Sequence, residues 1–275
     1  MLGHEFMRNA FLAGTFVALA CGVVGYFVVL RAQVFAGDAL SHVALTGALA
    51  AAAAGIDLRI GLFAITILVA LGMGAAGDRA RADDAVIGSF FAWVLGLGAL
   101  FLSIFTTSAS GNGDGTAGVR VLFGSILGLS VSQARLGALL GALAVVIVIA
   151  IARPLLFSSV DPDVAQANGL PVKALGLVFL GVLGLVAAEA TQAVGALLLL
   201  GLLSAPAGAA HRLTSNPYTG IGLAASLALA ATWGGLVISY LVPDLPPSSM
   251  IISLAVGTYL VASLATRTPK LESIS

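Results

Sequence analysis

Long apolar stretches, each about as long as a membrane is thick, dominate the chain and are separated by short polar connections. A helix needs roughly 20 residues to cross the hydrocarbon core of a bilayer. The alternation of apolar and polar residues that is typical of membrane β-strands is absent from the sequence. The pattern therefore predicts an all-α, polytopic membrane bundle of eight or nine helices. The predicted spans are 9–30, 38–56, 60–77, 85–106, 132–152, 172–188, 191–210, 218–241 and 248–266.

Composition supports a membrane protein and excludes other classes. The 275 residues are 60% hydrophobic and 9% charged, against roughly 25% charged residues in an average soluble domain. The 34 glycines and the abundant alanine favour close approach between helices. The formal net charge is zero, so binding to nucleic acid has no electrostatic support. Cys21 is the sole cysteine, which excludes an internal disulfide, and we interpret it as a small packed residue.

Two connections are longer and more polar than the others. Residues 107–120 are rich in glycine, and residues 121–125 are compatible with a short re-entrant or interfacial helix. Residues 153–171 form the most polar connection of the chain.

Basic residues predict the orientation of the chain in the membrane. One set of alternate connections carries twice as many of them as the other, and the positive-inside rule places the richer set in the cytoplasm. Residues 153–171 and the C-terminus are then cytoplasmic, and the N-terminus and residues 107–120 are outside. The richer set contains Arg31, Arg79, Arg81, Arg153, Lys173, Arg212, Arg267 and Lys270, and the poorer set contains Arg8, Arg59, Arg120 and Arg135.

An acid and a histidine stand at the head of the second predicted span, in Gly37-Asp38-Ala39-Leu40-Ser41-His42. On a helix, Asp38 and His42 share a face, with Ser41 beside them. Ionisable residues inside a membrane are costly and are by default candidates for function. An oxygen ligand beside a nitrogen ligand suits a divalent first-row metal ion, although two ligands do not complete a coordination shell.

Plainer interpretations of these two residues are also open. Asp38 would cap the N-terminus of the second helix if that helix began just after it. His42 would serve as an ordinary buried histidine if it bonded to a carbonyl group of a neighbouring helix.

A second pair of polar residues, Glu189 and Gln192, lies between the sixth and seventh predicted spans. The predicted topology places Glu189 in a loop near the outer surface, where a charge costs little. If the region folds deeper into the membrane, both side chains would line a route for a cation.

The sequence lacks the common catalytic motifs. A P-loop needs a lysine after a glycine frame, and neither Lys173 nor Lys270 follows one. Motifs of zinc proteases and serine hydrolases are also missing from the sequence. We therefore expect a protein that is not an enzyme.

Several stretches taken together resemble the membrane permeases of bacterial ABC importers for zinc, manganese or iron(II). The element from Gly37 to His42 is the most specific of them, and the others are weak singly but occur in the expected order. The matching stretches are 25–31, 37–42, 122–127, 161–165 with Gly169, 192–195 and 203–207. His211, Arg212 and Glu189 depart from the family pattern, which leaves the choice of metal open.

The resemblance implies a fold like that of the vitamin B12 and siderophore importer permeases, with residues 1–275 as a single permease domain. It implies two permease copies around a central pathway in the bacterial inner membrane. Its implied partners are cytoplasmic ATP-binding subunits, which hydrolyse ATP, and an extracytoplasmic metal-binding protein. Zn²⁺, Mn²⁺ or Fe²⁺ is the implied cargo, and no permanently bound cofactor is expected.

The resemblance also implies residue roles. Asp38 and His42 match the acid and histidine that contact or gate the passing ion. The cytoplasmic connection matches the loop that docks into the ATPase, and its movement drives alternating access to the pathway. The docking residues implied are Asp161, Pro162, Asp163, Ala165 and Gly169.

Three rival functions stay open at this point. A siderophore or cobalamin permease of the same architecture has a wide, mostly uncharged vestibule, which fits the acid and histidine poorly. A secondary transporter or channel without an ATPase would use Asp38, His42 and Glu189 as an ion or proton relay. A purely structural scaffold would not explain paired ionisable groups inside a span.

Overall fold

The computed structural model describes residues 4–77, 84–108, 124–196 and 199–266. All regular secondary structure within these ranges is helical, which confirms the all-α prediction. The helices are α1 (Glu5–Leu30), α2 (Val34–Ala53), α3 (Leu58–Ala76), α4 (Asp84–Ser108), a 3-10 helix (Ile126–Gly128), α5 (Val131–Ala150), α6 (Ala152–Val160), α7 (Pro162–Ala167), α8 (Val172–Val194), α9 (Leu199–Leu213), α10 (Pro217–Leu241) and α11 (Pro247–Ala265).

Eight of the described helices are long and apolar enough to cross a membrane, namely α1 to α5, α8, α10 and α11. Helix α9 has 15 residues, so it is about 22 Å long and shorter than the hydrocarbon core. Most of its apolar side chains are buried among other helices, where irregular backbone at its ends is tolerated. The chain is therefore a multi-pass membrane protein, whose described ranges hold eight candidate spans and the shorter helix α9 inside the bundle.

Helix α1 lies at the centre of the bundle, where it packs against α5, α8, α9 and α10. Two of its glycines permit this close packing. A Cβ atom at Gly22 would lie 2.5 Å from the Cα atom of Ala225 on α10, and one at Gly25 would collide with the carbonyl oxygen of Leu203 on α9. Small residues thus set the distance between these helices, as expected in a membrane bundle.

Two helix boundaries differ from the prediction and move candidate residues. Helix α2 begins at Val34, because the turn after α1 takes only residues 31–33. Helix α8 continues through Glu189 to Val194 and ends at Gly195, whose φ of +103° suits glycine. The predicted break near residue 189 is therefore wrong.

The two long connections are also partly described. Residues 153–171, predicted as a loop, contain helix α7 and most of helix α6. Beyond residue 108, the glycine-rich stretch lies outside the described residues, as does 121–123 of the proposed re-entrant stretch. Arg79, Arg81, Arg120, Arg267 and Lys270 also lie outside them. The predicted orientation in the membrane stays a prediction.

Candidate functional site

Helix α2 presents Asp38 and His42 on one face, as their spacing predicts. From Val34 to Leu45, the residues that are not buried are these two, Val34, Phe35 and Leu45. The rest of this stretch packs into the bundle, where α2 contacts α3, α4 and α8. The acid and the histidine thus lie on the open strip of an otherwise well-covered helix.

Phe91 of α4 lies beside this strip. The centroid of its ring is 5.3 Å from that of the His42 imidazole and 5.8 Å from that of Phe35, and both contacts are edge-on. Such aromatic pairs are worth about 0.5–1.5 kcal/mol beyond the area that they bury. Phe91 therefore restrains the orientation of the imidazole, and sequence reasoning missed it because nothing in the sequence pairs α4 with α2.

The side chains of Asp38 and His42 have no hydrogen-bond or ion-pair partner among the residues that the structure describes. The capping interpretation of Asp38 is wrong, since Gln33 occupies the N-cap of α2 and Asp38 lies in the second turn. The carbonyl-bonded interpretation of His42 finds no such bond in these ranges. Both groups are thus available to a ligand.

Ser41 is buried, and its hydroxyl group donates to the backbone carbonyl of Asp38 at 2.7 Å. The hydroxyl proton is therefore used inside α2. Its position beside the acid is as predicted, but its polar atom is directed at the helix backbone.

The acid and the histidine provide only part of a coordination shell. Within the described ranges, no group of three or more His, Cys, Asp or Glu side chains is placed to hold a metal ion. Protein metal sites usually take four or more ligands. A metal ion at Asp38 and His42 would need ligands from water or from another chain.

Glu189 lies inside α8 with 5% of its surface exposed, which corrects the expectation of a loop residue at the membrane surface. Its carboxylate reaches Gly137 of α5, where a Cβ atom would collide with Oε1. Val17 and Ala20 of α1 line the narrow crevice beside it. Glu189 thus faces the packing of α1 and α5, and neither Asp38 nor His42 lines the crevice beside it.

Gln192 lies at the end of α8 and lines a cavity of about 170 Å³ together with Arg59, Ser125 and Gln133. Its Oε1 atom is buried and has no hydrogen-bond partner among the described residues. The Ser125 N–H group donates to the backbone carbonyl of Gln192 at 3.4 Å, which joins the 3-10 segment to α8. The positive charge of Arg59 in the wall disfavours a cation in this cavity.

The polar connection 153–171 folds as a compact pair of short helices. Asp161 caps α7 by accepting the Val164 N–H group at 3.0 Å, and Pro162 occupies the first helical turn. Ala165 is buried, and Gly169 follows with a φ of +81°, a left-handed conformation that suits glycine. Asp163 remains exposed.

Three exposed apolar side chains on these two helices were not predicted. Phe157, Val160 and Val164 are 40%, 77% and 45% exposed. Phe157 and Val160 lie three residues apart on one side of α6, and Val164 follows on α7 after the extended backbone of Asp161. Apolar side chains that project from a polar segment are typical of an interaction surface.

Comparisons with known proteins match nearly the whole chain. The profile of the ABC 3 transport family matches residues 3–266. The manganese transport system membrane protein MntC of Halalkalibacterium halodurans is 29% identical, over 95% of this chain and 88% of its own length. A Haemophilus influenzae protein that carries the name "probable iron transport system membrane protein" is also 29% identical, over 95% of this chain and 94% of its own.

A solved structure shows the same architecture. PsaBC from Streptococcus pneumoniae in complex with Fab superposes with a TM-score of 0.82 at 26% identity, over 98% of this chain and 96% of that chain. The family profile spans helix α2, which carries Asp38 and His42, and the compact segment 161–169.

Proposed function

The chain belongs to the ABC 3 transport family and is the permease of a metal-type ABC transporter, and on this premise we propose that it carries a divalent first-row metal ion into the bacterial cytoplasm. Separate ATP-binding subunits hydrolyse ATP on the cytoplasmic side. An extracytoplasmic binding protein delivers the metal to the outer side. In the proposed orientation, the N-terminus is outside and α6, α7 and the C-terminus are in the cytoplasm.

The open strip of α2 carries this proposal. Asp38 and His42 are ionisable, lie in a candidate membrane span and have no partner in the described part of the chain. A membrane protein retains such groups where a polar substrate passes. We assign the translocation pathway to this strip, and Glu189, which packs between α1 and α5, is not included in it.

A second copy of the chain completes the pathway. Two copies that face each other across their α2 strips bring two carboxylates and two imidazoles to one ion. The two negative charges offset the charge of a divalent cation, which lowers the cost of holding it away from bulk water. The sparse ligand set also permits release, because an ion that is bound too tightly does not move on.

The cargo proposed first is Mn²⁺, with Fe²⁺ and Zn²⁺ as competitors for the same pathway. Carboxylate and imidazole ligands accept all three ions, and Mn²⁺ binds most weakly in the general affinity order. Weak binding suits brief contact during transport. Relatives named for manganese and iron support this choice.

Force from the ATP-binding subunits enters through the compact segment of α6 and α7. The exposed apolar side chains of Phe157, Val160 and Val164 supply its contact surface. Closure of the ATPase pair displaces this segment, and the helices tilt so that the pathway opens alternately outward and inward. Asp161 and Gly169 keep the segment compact, so that it moves as a unit.

A secondary transporter remains the main rival, because ionisable residues in a membrane also form proton relays. That rival needs Glu189 as a partner of Asp38 and His42. The position of Glu189 against α1 and α5 favours the importer.

Metal uptake by cells that lack this gene tests the proposal. Complementation with the wild-type chain is expected to restore ATP-dependent uptake of radioactive manganese, measured beside iron and zinc. Asp38→Ala and His42→Ala are expected to abolish it, while the chain still copurifies with its ATPase. Leu45→Val, on the same strip, is the control that changes shape without removing a ligand. Uptake that survives both alanine changes would exclude this pathway.

A further inference from the structure

Arg31 ends α1 and is buried at a junction of four helices. It is 3% exposed, although an arginine at the end of a membrane helix usually reaches water. Its Nη1 atom donates to the Ser159 hydroxyl of α6 at 3.2 Å, and its Nε atom donates to the Gln33 side-chain oxygen at 3.3 Å. Its guanidinium carbon lies 5.4 Å from the centroid of the Phe179 ring of α8. One side chain thus connects α1, the start of α2, α6 and α8.

The turn that carries Arg31 is held by its own backbone. The Gln33 N–H group donates to the Val28 carbonyl at 2.8 Å, and the Ala32 N–H group donates to the Val29 carbonyl at 3.1 Å. This pair of bonds is the Schellman arrangement that closes a helix. Ala32 has a φ of +54°, which a residue with a side chain rarely adopts. The turn is therefore a firm link, and a displacement of Arg31 passes directly to α2.

Ser159 joins the other side of this junction to the proposed ATPase contact surface. It lies next to Val160, the last residue of α6, and two residues before Asp161, the cap of α7. Its hydroxyl group donates to the Leu155 carbonyl within α6 and accepts the bond from Arg31. Because the single hydroxyl proton is used within α6, the remaining lone pairs are available to a donor such as Arg31.

We propose that Arg31 is a positioning residue for transport, which transmits the displacement of α6 and α7 to α2 and so to Asp38 and His42. The inference rests on the proposed function. The planar guanidinium group suits this role because it donates in two fixed directions at once, which the ammonium group of lysine does not do. Asp38 lies only five residues after Gln33, so a tilt at the turn moves the proposed pathway.

Gln33 gives the junction a second relevant feature. Its side-chain oxygen accepts from Arg31, so rotating the amide by half a turn would place donor against donor. Its Nε2 atom is buried and has no hydrogen-bond partner in the described ranges. The junction thus keeps one unused donor, which an acceptor can engage when α6 shifts.

The test uses the complete transporter, with its ATP-binding subunits and binding protein, in liposomes. ATP hydrolysis and manganese uptake are measured on the same samples for wild type, Arg31→Lys and Ser159→Ala. Ser158→Ala is the matched control, since the Ser158 hydroxyl donates to the same Leu155 carbonyl, at 3.1 Å. Ser159→Ala is expected to raise the ATP hydrolysed per metal ion by about tenfold or more, the effect of losing one hydrogen bond to a charged group.

Measuring both ATP hydrolysis and manganese uptake distinguishes the possible results. The expected result is normal assembly and normal hydrolysis, with a raised ratio of ATP to metal in Arg31→Lys and in Ser159→Ala and an unchanged ratio in Ser158→Ala. Combining Arg31→Lys with Ser159→Ala in one double variant should raise the ratio no further. A ratio equal to that of wild type in Ser159→Ala overturns the role of Arg31. So does a loss of hydrolysis and uptake in parallel, which indicates a merely structural role. If wild type itself shows no ATP-dependent uptake, the proposed function fails instead.

Discussion

The ring of Phe91 on α4 stands edge-on to the imidazole of His42 on α2, with 5.3 Å between the two centroids. The second neighbour of the Phe91 ring is Phe35, one turn before Asp38. An aromatic wall thus flanks the acid and the histidine and restrains the only ring nitrogen ligand on the open strip.

Replacement of Phe91 by alanine is expected to weaken metal handling without removing a ligand. Loss of the edge-on contact frees the His42 ring, and an aromatic pair worth about 0.5–1.5 kcal/mol corresponds to a change of up to about tenfold. We expect the KM for manganese uptake to rise by this factor, while the copurifying ATPase is retained. Phe91→Tyr keeps the ring and should behave like wild type. An unchanged KM in Phe91→Ala would show that the ring does not position the imidazole.

Gly137→Ala is expected to destabilise the permease, because the added Cβ atom would collide with the Glu189 carboxylate in the packed interior. Overpacking of a core costs typically about 1–3 kcal/mol, which a lower Tm of the detergent-solubilised protein would report. Gly222→Ala is the matched control, since a Cβ atom there meets nothing within 4 Å.

Truncating Glu189 to alanine distinguishes this collision from a general effect of alanine at residue 137. In the double variant Gly137→Ala with Glu189→Ala, the Tm should return toward that of Glu189→Ala alone, because the two changes share one contact. If the decreases in Tm were additive in the double variant, the Glu189 carboxylate would not be the group that excludes a Cβ atom at residue 137.

Val160→Asp is expected to block attachment of the ATP-binding subunit while the permease still folds. Val160 is 77% exposed, so a charge there costs the isolated chain little but disrupts an apolar contact surface. Copurification of the tagged permease with its ATPase measures this directly. Ile56→Asp, in the turn after α2 and also exposed, is the control. Normal recovery of the ATPase with Val160→Asp would place the contact surface elsewhere.

Glu189→Gln is expected to leave manganese uptake within about twofold of wild type, since the acid packs against α5 rather than on the open strip. Asp38→Asn is its counterpart and is expected to abolish uptake. Uptake is compared between cells that express one variant each, at equal protein levels. A loss of uptake in Glu189→Gln comparable to that in Asp38→Asn would return Glu189 to the pathway and favour the relay.

The sequence predicted the features that depend on local pattern. The length of the apolar stretches predicted the membrane helices, and the spacing of Asp38 and His42 predicted their common face. Helix ends inside apolar sequence were harder to predict, because a glutamate such as Glu189 occurs within a helix as readily as at its end. The start of α2 was missed because Ala32, not glycine, takes the left-handed position.

Features that depend on distant packing were not predictable. Arg31 was counted among the basic residues of a cytoplasmic connection, and its buried position involves a contact with Ser159, 128 positions away. The contact of Phe91 with His42 likewise depends on how α4 lies against α2. Neither relationship leaves a periodic signal in a single sequence.

The incomplete ligand set on α2 has a genetic consequence. If two copies form the pathway, as proposed, and each contributes half of the ion contacts, a cell that makes intact and Asp38→Ala copies in equal amounts will assemble about three quarters of these dimers with at least one defective half. The altered allele should then be dominant, and metal starvation should appear even in the presence of the normal gene.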